Sequence, residues 1–204
     1  MRIVIPFSRN YLQKELIKLY KPLNIILHPI QHEDLKWDED WIIPVKYPLE
    51  RNPFDICYDK MNFFKETFDI IDNEYYMVIG DDDALELNVP EEINKMDDDI
   101  VVISLKRGDD VPISGSICGT CTLEAREEAM KEWYTGFAQI IMKGYAFKKL
   151  KYRDDTHIAD GCMAEDVVNS KYNIAYRPDL FVKHNYYQPG RWERYSDKSF
   201  YEGI

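Results

Sequence analysis

Asp81, Asp82 and Asp83 stand in a row where an apolar run, Tyr75-Tyr76-Met77-Val78-Ile79-Gly80, comes to its end. The β-branched and aromatic content of that run, its length and its closing glycine are those of a buried strand. Three carboxylates are therefore expected at a strand end. Packed this closely, they repel one another and partly protonate unless a cation neutralises them. Oxygen-only ligands suit a hard divalent ion such as Mg²⁺ or Mn²⁺, and an ion held by one or two carboxylates commonly completes its shell with substrate phosphates. The pattern points to metal-assisted chemistry on a phosphorylated substrate, with an acidic turn at the mouth of a sheet as the plain alternative. Repulsion within the triplet also predicts that deleting one carboxylate leaves the metal-free protein as stable as before, or more so.

The elements that must position these groups follow from the apolar pattern. Strand and helix signals alternate, which predicts an α/β domain with a mostly parallel central sheet flanked by helices. Residues 3–5 read as a first strand. A helix over 11–20 puts Leu12, Leu16, Leu19 and Tyr20 on one face, and strands are expected at 24–28 and 41–45. The next helix sets Met61, Phe64, Phe68 and Ile71 along one core-facing stripe. The strand into Asp81 comes next, and another spans 100–105. No repeat or linker interrupts the 204 residues, so one domain is expected. The acidic stretches at 33–40, 97–99 and 154–155 read as solvated turns.

Composition narrows the function. A formal net charge of -11 disfavours a nucleic-acid partner, whereas a small phosphorylated ligand stays compatible because a bound metal reverses the local field. No run approaches the roughly 18 uncharged apolar residues of a membrane span. Met1 to Pro6 begins directly as a strand, with no apolar leader. A cytoplasmic location is expected, with the four cysteines (Cys57, Cys118, Cys121 and Cys162) as reduced thiols. The Cys118-Gly119-Thr120-Cys121 spacing matches both thiol–disulfide oxidoreductases and half a zinc site. No second ligand pair of comparable spacing exists, and redox motifs of this kind normally close the first strand of a domain. Two thiols in a loop, ahead of a helix at 123–134, is the preferred reading.

From Asp81 onward the chain resembles a GT-A-fold, nucleotide-sugar-dependent glycosyltransferase of the family-2-like group. Four segments carry the likeness, in order: Ile5-Pro6-Phe7-Ser8-Arg9-Asn10 resembles the first strand and nucleotide-facing loop; Asp59-Lys60-Met61-Asn62, with the helix and strand that follow, resembles the basic-x-Asn helix before the acidic DxD motif; Ala164-Glu165-Asp166-Val167 resembles a Glu-Asp motif opening a helix; and Arg177-Pro178-Asp179 to His184 resembles the closing strand that ends in a histidine. The likeness implies a GT-A sheet with a nucleotide-sugar-binding half (1–110) and an acceptor and catalytic half (111–184); the tail (185–204), rich in aromatic and charged residues with a turn at Pro189-Gly190, is expected to fold over the bound nucleotide.

It also implies roles. Asp81 and Asp83 are the outer DxD members, with His184 a further ligand for Mn²⁺ or Mg²⁺; a second register makes Asp82 and Asp83 the ligands. Pro6, Ser8, Arg9, Lys60, Asn62, Asp81 and Asp82 lie at the donor, a UDP- or GDP-sugar. Asp166 is the general base that takes the proton of a hydroxyl acceptor (glycan, protein or small molecule), and Glu165 orients sugar or acceptor, giving inversion. Trp133, Tyr134 and Tyr145 offer flat faces to an acceptor sugar. The family's Asp-Asp-Gly-Ser after the second strand, whose first aspartate meets uracil, is replaced here by Gln31-His32-Glu33-Asp34, which leaves the base open. Two alternatives share the fold: a sugar-nucleotide nucleotidyltransferase, which would want a glycine-rich basic loop where Ser8-Arg9-Asn10 stands, and a catalytically silent nucleotide-sugar binding protein.

Overall fold

The structure is a computed structural model that describes residues 1–32, 34–48, 50–51, 55–107, 137–153 and 159–184. The cysteine pair, the expected helix at 123–134 with Trp133 and Tyr134, and the tail at 185–204 lie outside the described residues. The described elements are β1 (Arg2–Ile5), α1 (Gln13–Tyr20), β2 (Ile26–Gln31), β3 (Val45–Lys46), α2 (Ile56–Thr67), β4 (Tyr75–Val78), β5 (Ala84–Leu85), α3 (Val89–Asn94), β6 (Ile100–Arg107), β7 (Ile140–Lys143), α4 (Gly144–Lys149), α5 (Ala159–Val168) and β8 (Ile174–His184). They build an α/β domain around one eight-stranded sheet of order β3-β2-β1-β4-β7-β6-β8-β5.

Four of the strand pairings are parallel, β2 with β3, β1 with β2 and with β4, and β6 with β8. β7 runs against both β4 and β6, and β5 against β8. Successive residues of a strand face opposite sides, and the core divides accordingly. Ile3, Ile5, Tyr75, Met77 and Ile79 pack with Leu16 and Tyr20 of α1. Val4, Tyr76 and Val78 pack on the other side with Met61 and Phe64 of α2, Phe147 of α4 and Met163 of α5.

Several boundaries differ from expectation for identifiable reasons. β2 starts at Ile26 because Asn24 takes a left-handed conformation (φ 48°) that ends the preceding helical turn. It continues through Pro29 because the ladder to β1 finishes at that residue, and Ile30 and Gln31 pair with β3 instead. The third strand shrinks to Val45–Lys46, since Pro29 on β2 has no N–H to offer the facing carbonyl of Ile43; upstream a single bridge joins Leu27 to Ile42. α2 is capped by the Asp55 carboxylate, which accepts from Cys57 N at 2.8 Å and Tyr58 N at 3.3 Å. It ends at Thr67, so Phe68 is its extended C-cap and Ile71 is 43% exposed rather than part of the core stripe.

One glycine is demanded by a close approach. A Cβ on Gly144 would stand 2.1 Å from the carbonyl oxygen of Ile71. The Gly144 N–H donates to Glu74 O at 2.9 Å, and that of Tyr145 to Asp72 O at 3.3 Å. The β7–α4 junction is thus pressed against the backbone that leads into β4. This is the end of β4 opposite the acidic triplet, and the Tyr145 hydroxyl bonds Asp99 there. No described helix is long and apolar enough to cross a membrane.

Candidate active site

β1 and β4 are neighbours, and the chain leaves β1 toward β2 on the other side. The carboxyl ends of β1 and β4 therefore flank the crevice where open α/β sheets bind ligands, the point at which strand order reverses. The loop 6–9 and the triplet 81–83 meet there.

The triplet folds back on its strand. Asp83 N donates to Gly80 O at 3.2 Å, and the Asp83 carboxylate accepts from Gly80 N at 2.8 Å. A Cβ on Gly80 would lie 2.9 Å from Asp83 Oδ2 and 3.0 Å from Asp82 Oδ1. Glycine lets both carboxylates draw in over the strand end. From α1, the Tyr20 hydroxyl donates to Asp83 O at 3.0 Å. All three aspartates are buried.

Asp81 joins the two loops. Its Oδ2 accepts from Ser8 N and Arg9 N, each at 2.8 Å, and from the Ser8 hydroxyl at 3.2 Å. Its Oδ1 receives the Arg9 guanidinium, which also lies 3.1 Å from Asp82 Oδ1. Burial works against the charge of Arg9, but Asp81 and Asp82 outweigh it and hold the guanidinium pKa above its usual value. Arg9 is a cation in direct contact with the crowded carboxylates, so relief of repulsion on deleting Asp81 is no longer expected.

Lys60, from the first turns of α2, is also buried here. Its ammonium donates to Phe7 O at 2.7 Å and so fixes the loop from beneath. Burial lowers its pKa, offset in part by Cys57 and Asp81. Pro6 is buried at the bend after β1, and Ser8 is exposed above it. His184 closes β8. The antiparallel rungs Ala84↔Lys183 and Leu85↔Val182, carried one residue further, bring it alongside Asp83. The expected donor and metal residues Pro6, Ser8, Arg9, Lys60, Asp81, Asp82, Asp83 and His184 are thus gathered at one edge.

Three residues stand elsewhere. The Asn62 amide is buried and clamps the backbone of Tyr152, donating to its O at 2.6 Å and accepting from its N at 2.9 Å. Glu165 and Asp166 occupy the second half of α5 rather than its start, because the helix extends upstream to Ala159. Asp166 accepts from Arg153 at 3.3 Å. Among the described residues, no hydrogen bond or ion pair joins Glu165 or Asp166 to the triplet. Gly80, Tyr20 and Arg153 enter the site or its flank without a role foreseen for them. Gly80 alone left a trace in the sequence, as the glycine that closes a strand.

An all-oxygen cluster at a strand end suits a hard divalent cation. A cation there would have to share the oxygens of Asp81 and Asp82 with Arg9. Among the described residues, no group of three or more His, Cys, Asp or Glu side chains is already spaced to hold a metal.

No protein-family model matches the sequence, nor does any curated protein. Solved structures do. S. aureus TarS (residues 1–349) is 13% identical, with a TM-score of 0.62 over 95% of this chain and 64% of that one. The fold is that of the GT-A glycosyltransferases. The same TarS fragment in complex with UDP-GlcNAc matches with a TM-score of 0.58 at 13% identity, over 88% of this chain and 57% of that one. The mannosyltransferase PcManGT from Pyrobaculum calidifontis, in complex with GDP-Man and Mn²⁺, matches at 0.60 and 12% identity, over 95% of this chain and 59% of that one. The chain spans less than two thirds of these GT-A proteins.

Proposed function

We propose that the protein is a metal-dependent glycosyltransferase that moves a hexose from a UDP- or GDP-sugar to a hydroxyl of a glycan, protein or small molecule, with inversion. The observation that carries this reading is the meeting of Arg9, Lys60, Ser8 and three buried carboxylates at the switch point of a GT-A sheet. The neighbours' complexes with UDP-GlcNAc and with GDP-Man and Mn²⁺ support it.

Arg9 and Ser8, on the outer side of the loop, meet the donor diphosphate or sugar, where a guanidinium matches phosphate oxygens in bidentate fashion. Lys60 and Pro6 support that loop from within. Asp81 and Asp83 with His184, or Asp82 with Asp83, would hold Mn²⁺ or Mg²⁺, which when bound acts as a Lewis acid on the charge that grows on the diphosphate. Asp166 accepts the proton of the attacking hydroxyl, and Glu165 orients the sugar or acceptor; direct displacement then inverts the anomeric carbon. Asn62 contributes by holding the segment at Tyr152 against α2.

Thermal stabilisation across UDP- and GDP-sugars, with and without Mn²⁺, tests the donor and metal together; donor hydrolysis and NMR of the product then read turnover and anomeric configuration. No stabilisation by any sugar nucleotide refutes the reading. Tight metal-dependent binding without turnover makes the protein a silent binder, and a retained configuration removes Asp166 as base.

A further inference from the structure

We infer that Arg9 is a displaceable internal counter-ion that makes a divalent cation and the donor diphosphate depend on each other for binding; the inference rests on the metal-dependent reading above. The Arg9 guanidinium touches Oδ1 of Asp81 and lies 3.1 Å from Oδ1 of Asp82. The Arg9 side chain is 27% exposed, against 3% for Asp81 and 6% for Asp82. The guanidinium is thus the outer member of the ion cluster. Its backbone, by contrast, is tied down: Arg9 N and Ser8 N each hold Asp81 Oδ2 at 2.8 Å. The side chain can swing out while the loop stays anchored.

A guanidinium and a divalent cation compete for the same oxygens. A cation arriving alone must drive Arg9 into water, away from two carboxylates that are themselves shielded from solvent. A diphosphate changes the balance, because its oxygens accept the displaced guanidinium in the paired geometry that arginine favours. As the cation takes the carboxylates, Arg9 takes the phosphates. Each ligand then eases the binding of the other, and linkage requires the effect to be equal in both directions. Without a diphosphate, Arg9 keeps the charge of the carboxylates partly balanced and hard cations weakly bound.

Mn²⁺ binding followed by electron paramagnetic resonance tests this, in the parent, Arg9→Gln and Arg9→Lys, each with and without UDP or GDP and corrected for Mn²⁺ held by free nucleotide. Arg9→Gln should bind Mn²⁺ alone about tenfold more tightly than the parent does, within the usual range for coupled sites. It should bind UDP or GDP alone more weakly, and the factor by which nucleotide tightens Mn²⁺ should shrink about tenfold. Arg9→Lys, which keeps the charge and loses the paired geometry, should fall between and guards against a folding defect in the first variant. Variants that bind Mn²⁺ no more tightly than the parent overturn the counter-ion role while leaving the metal-dependent reading intact. Absence of Mn²⁺ binding in every protein, with or without nucleotide, overturns both.

Discussion

Acidification from about pH 7.5 to about pH 5 is expected to remove about 2 kcal/mol of folding stability through His28 alone. The ring lies in the middle of β2, fully buried, against Phe64 and Phe68 at centroid distances of 5.1 and 4.5 Å. Its hydrogen bonds fit the neutral form: Nδ1–H donates to Ile43 O at 3.2 Å, and Nε2 accepts from the Arg2 guanidinium at 3.2 Å. Protonation would desolvate a charge and set it beside Arg2, and both effects lower the pKa from 6.5 to about 4. The unfolded chain therefore binds a proton that the folded chain refuses, and stability rises with pH across that window. The contribution is fully present above the unfolded value and declines as pH falls, by about 3 kcal/mol in all at ~1.4 kcal/mol per unit. Urea denaturation of the parent and His28→Gln over this range measures it, because other titrating groups cancel in the difference. Parallel stability curves for the two proteins would refute the argument.

Gly144→Ala should lose about 1–3 kcal/mol or more in urea denaturation, since its Cβ meets the rigid carbonyl of Ile71 at 2.1 Å; a neutral outcome would mean that the α4 junction shifts freely. Asp81→Ala should lower the melting temperature, by about 1–3 kcal/mol of stability, because four donors from Ser8 and Arg9 lose their acceptor; it should also abolish donor binding, and an unchanged or higher melting temperature would restore the repulsion argument. Asp166→Asn should keep donor affinity and lose about 10²–10⁴-fold in transfer rate, whereas unchanged turnover would leave Asp166 as no more than the partner of Arg153.

Much of the site edge was legible in the sequence because it depends on local patterns. The apolar run before Asp81 and the strand before Pro6 are short, buried and bounded by turn residues, so their ends, and hence the meeting of Ser8, Arg9 and the triplet, follow from chain order. What was not legible depends on distant partners. β3 and β5 are two residues each, and β7 and α4 are four and six; such pieces exist only because neighbouring strands and backbone hold them. The Asn62 amide looks like a ligand group until Tyr152, remote in sequence, is seen to occupy both of its ends. The helix carrying Glu165 and Asp166 extends upstream across Gly161, where residue propensity argues for a start nearer the acidic pair.

The position of β7 has a consequence for how the molecule is made. β3, β2, β1 and β4 come early in the chain and form a parallel set that pairs without help from later residues. β6 follows, but both of its neighbours, β7 and β8, are synthesised after it. The two halves of the sheet join only when Ile140–Lys143 slots between β4 and β6. Until then the free edge of β4 and both edges of β6 expose apolar strand to anything that will pair with it. Such late, non-local closure slows folding and leaves the unfinished chain prone to self-association. A nascent chain halted before Ile140 should therefore hold a protected first half and depend on chaperones for the remainder.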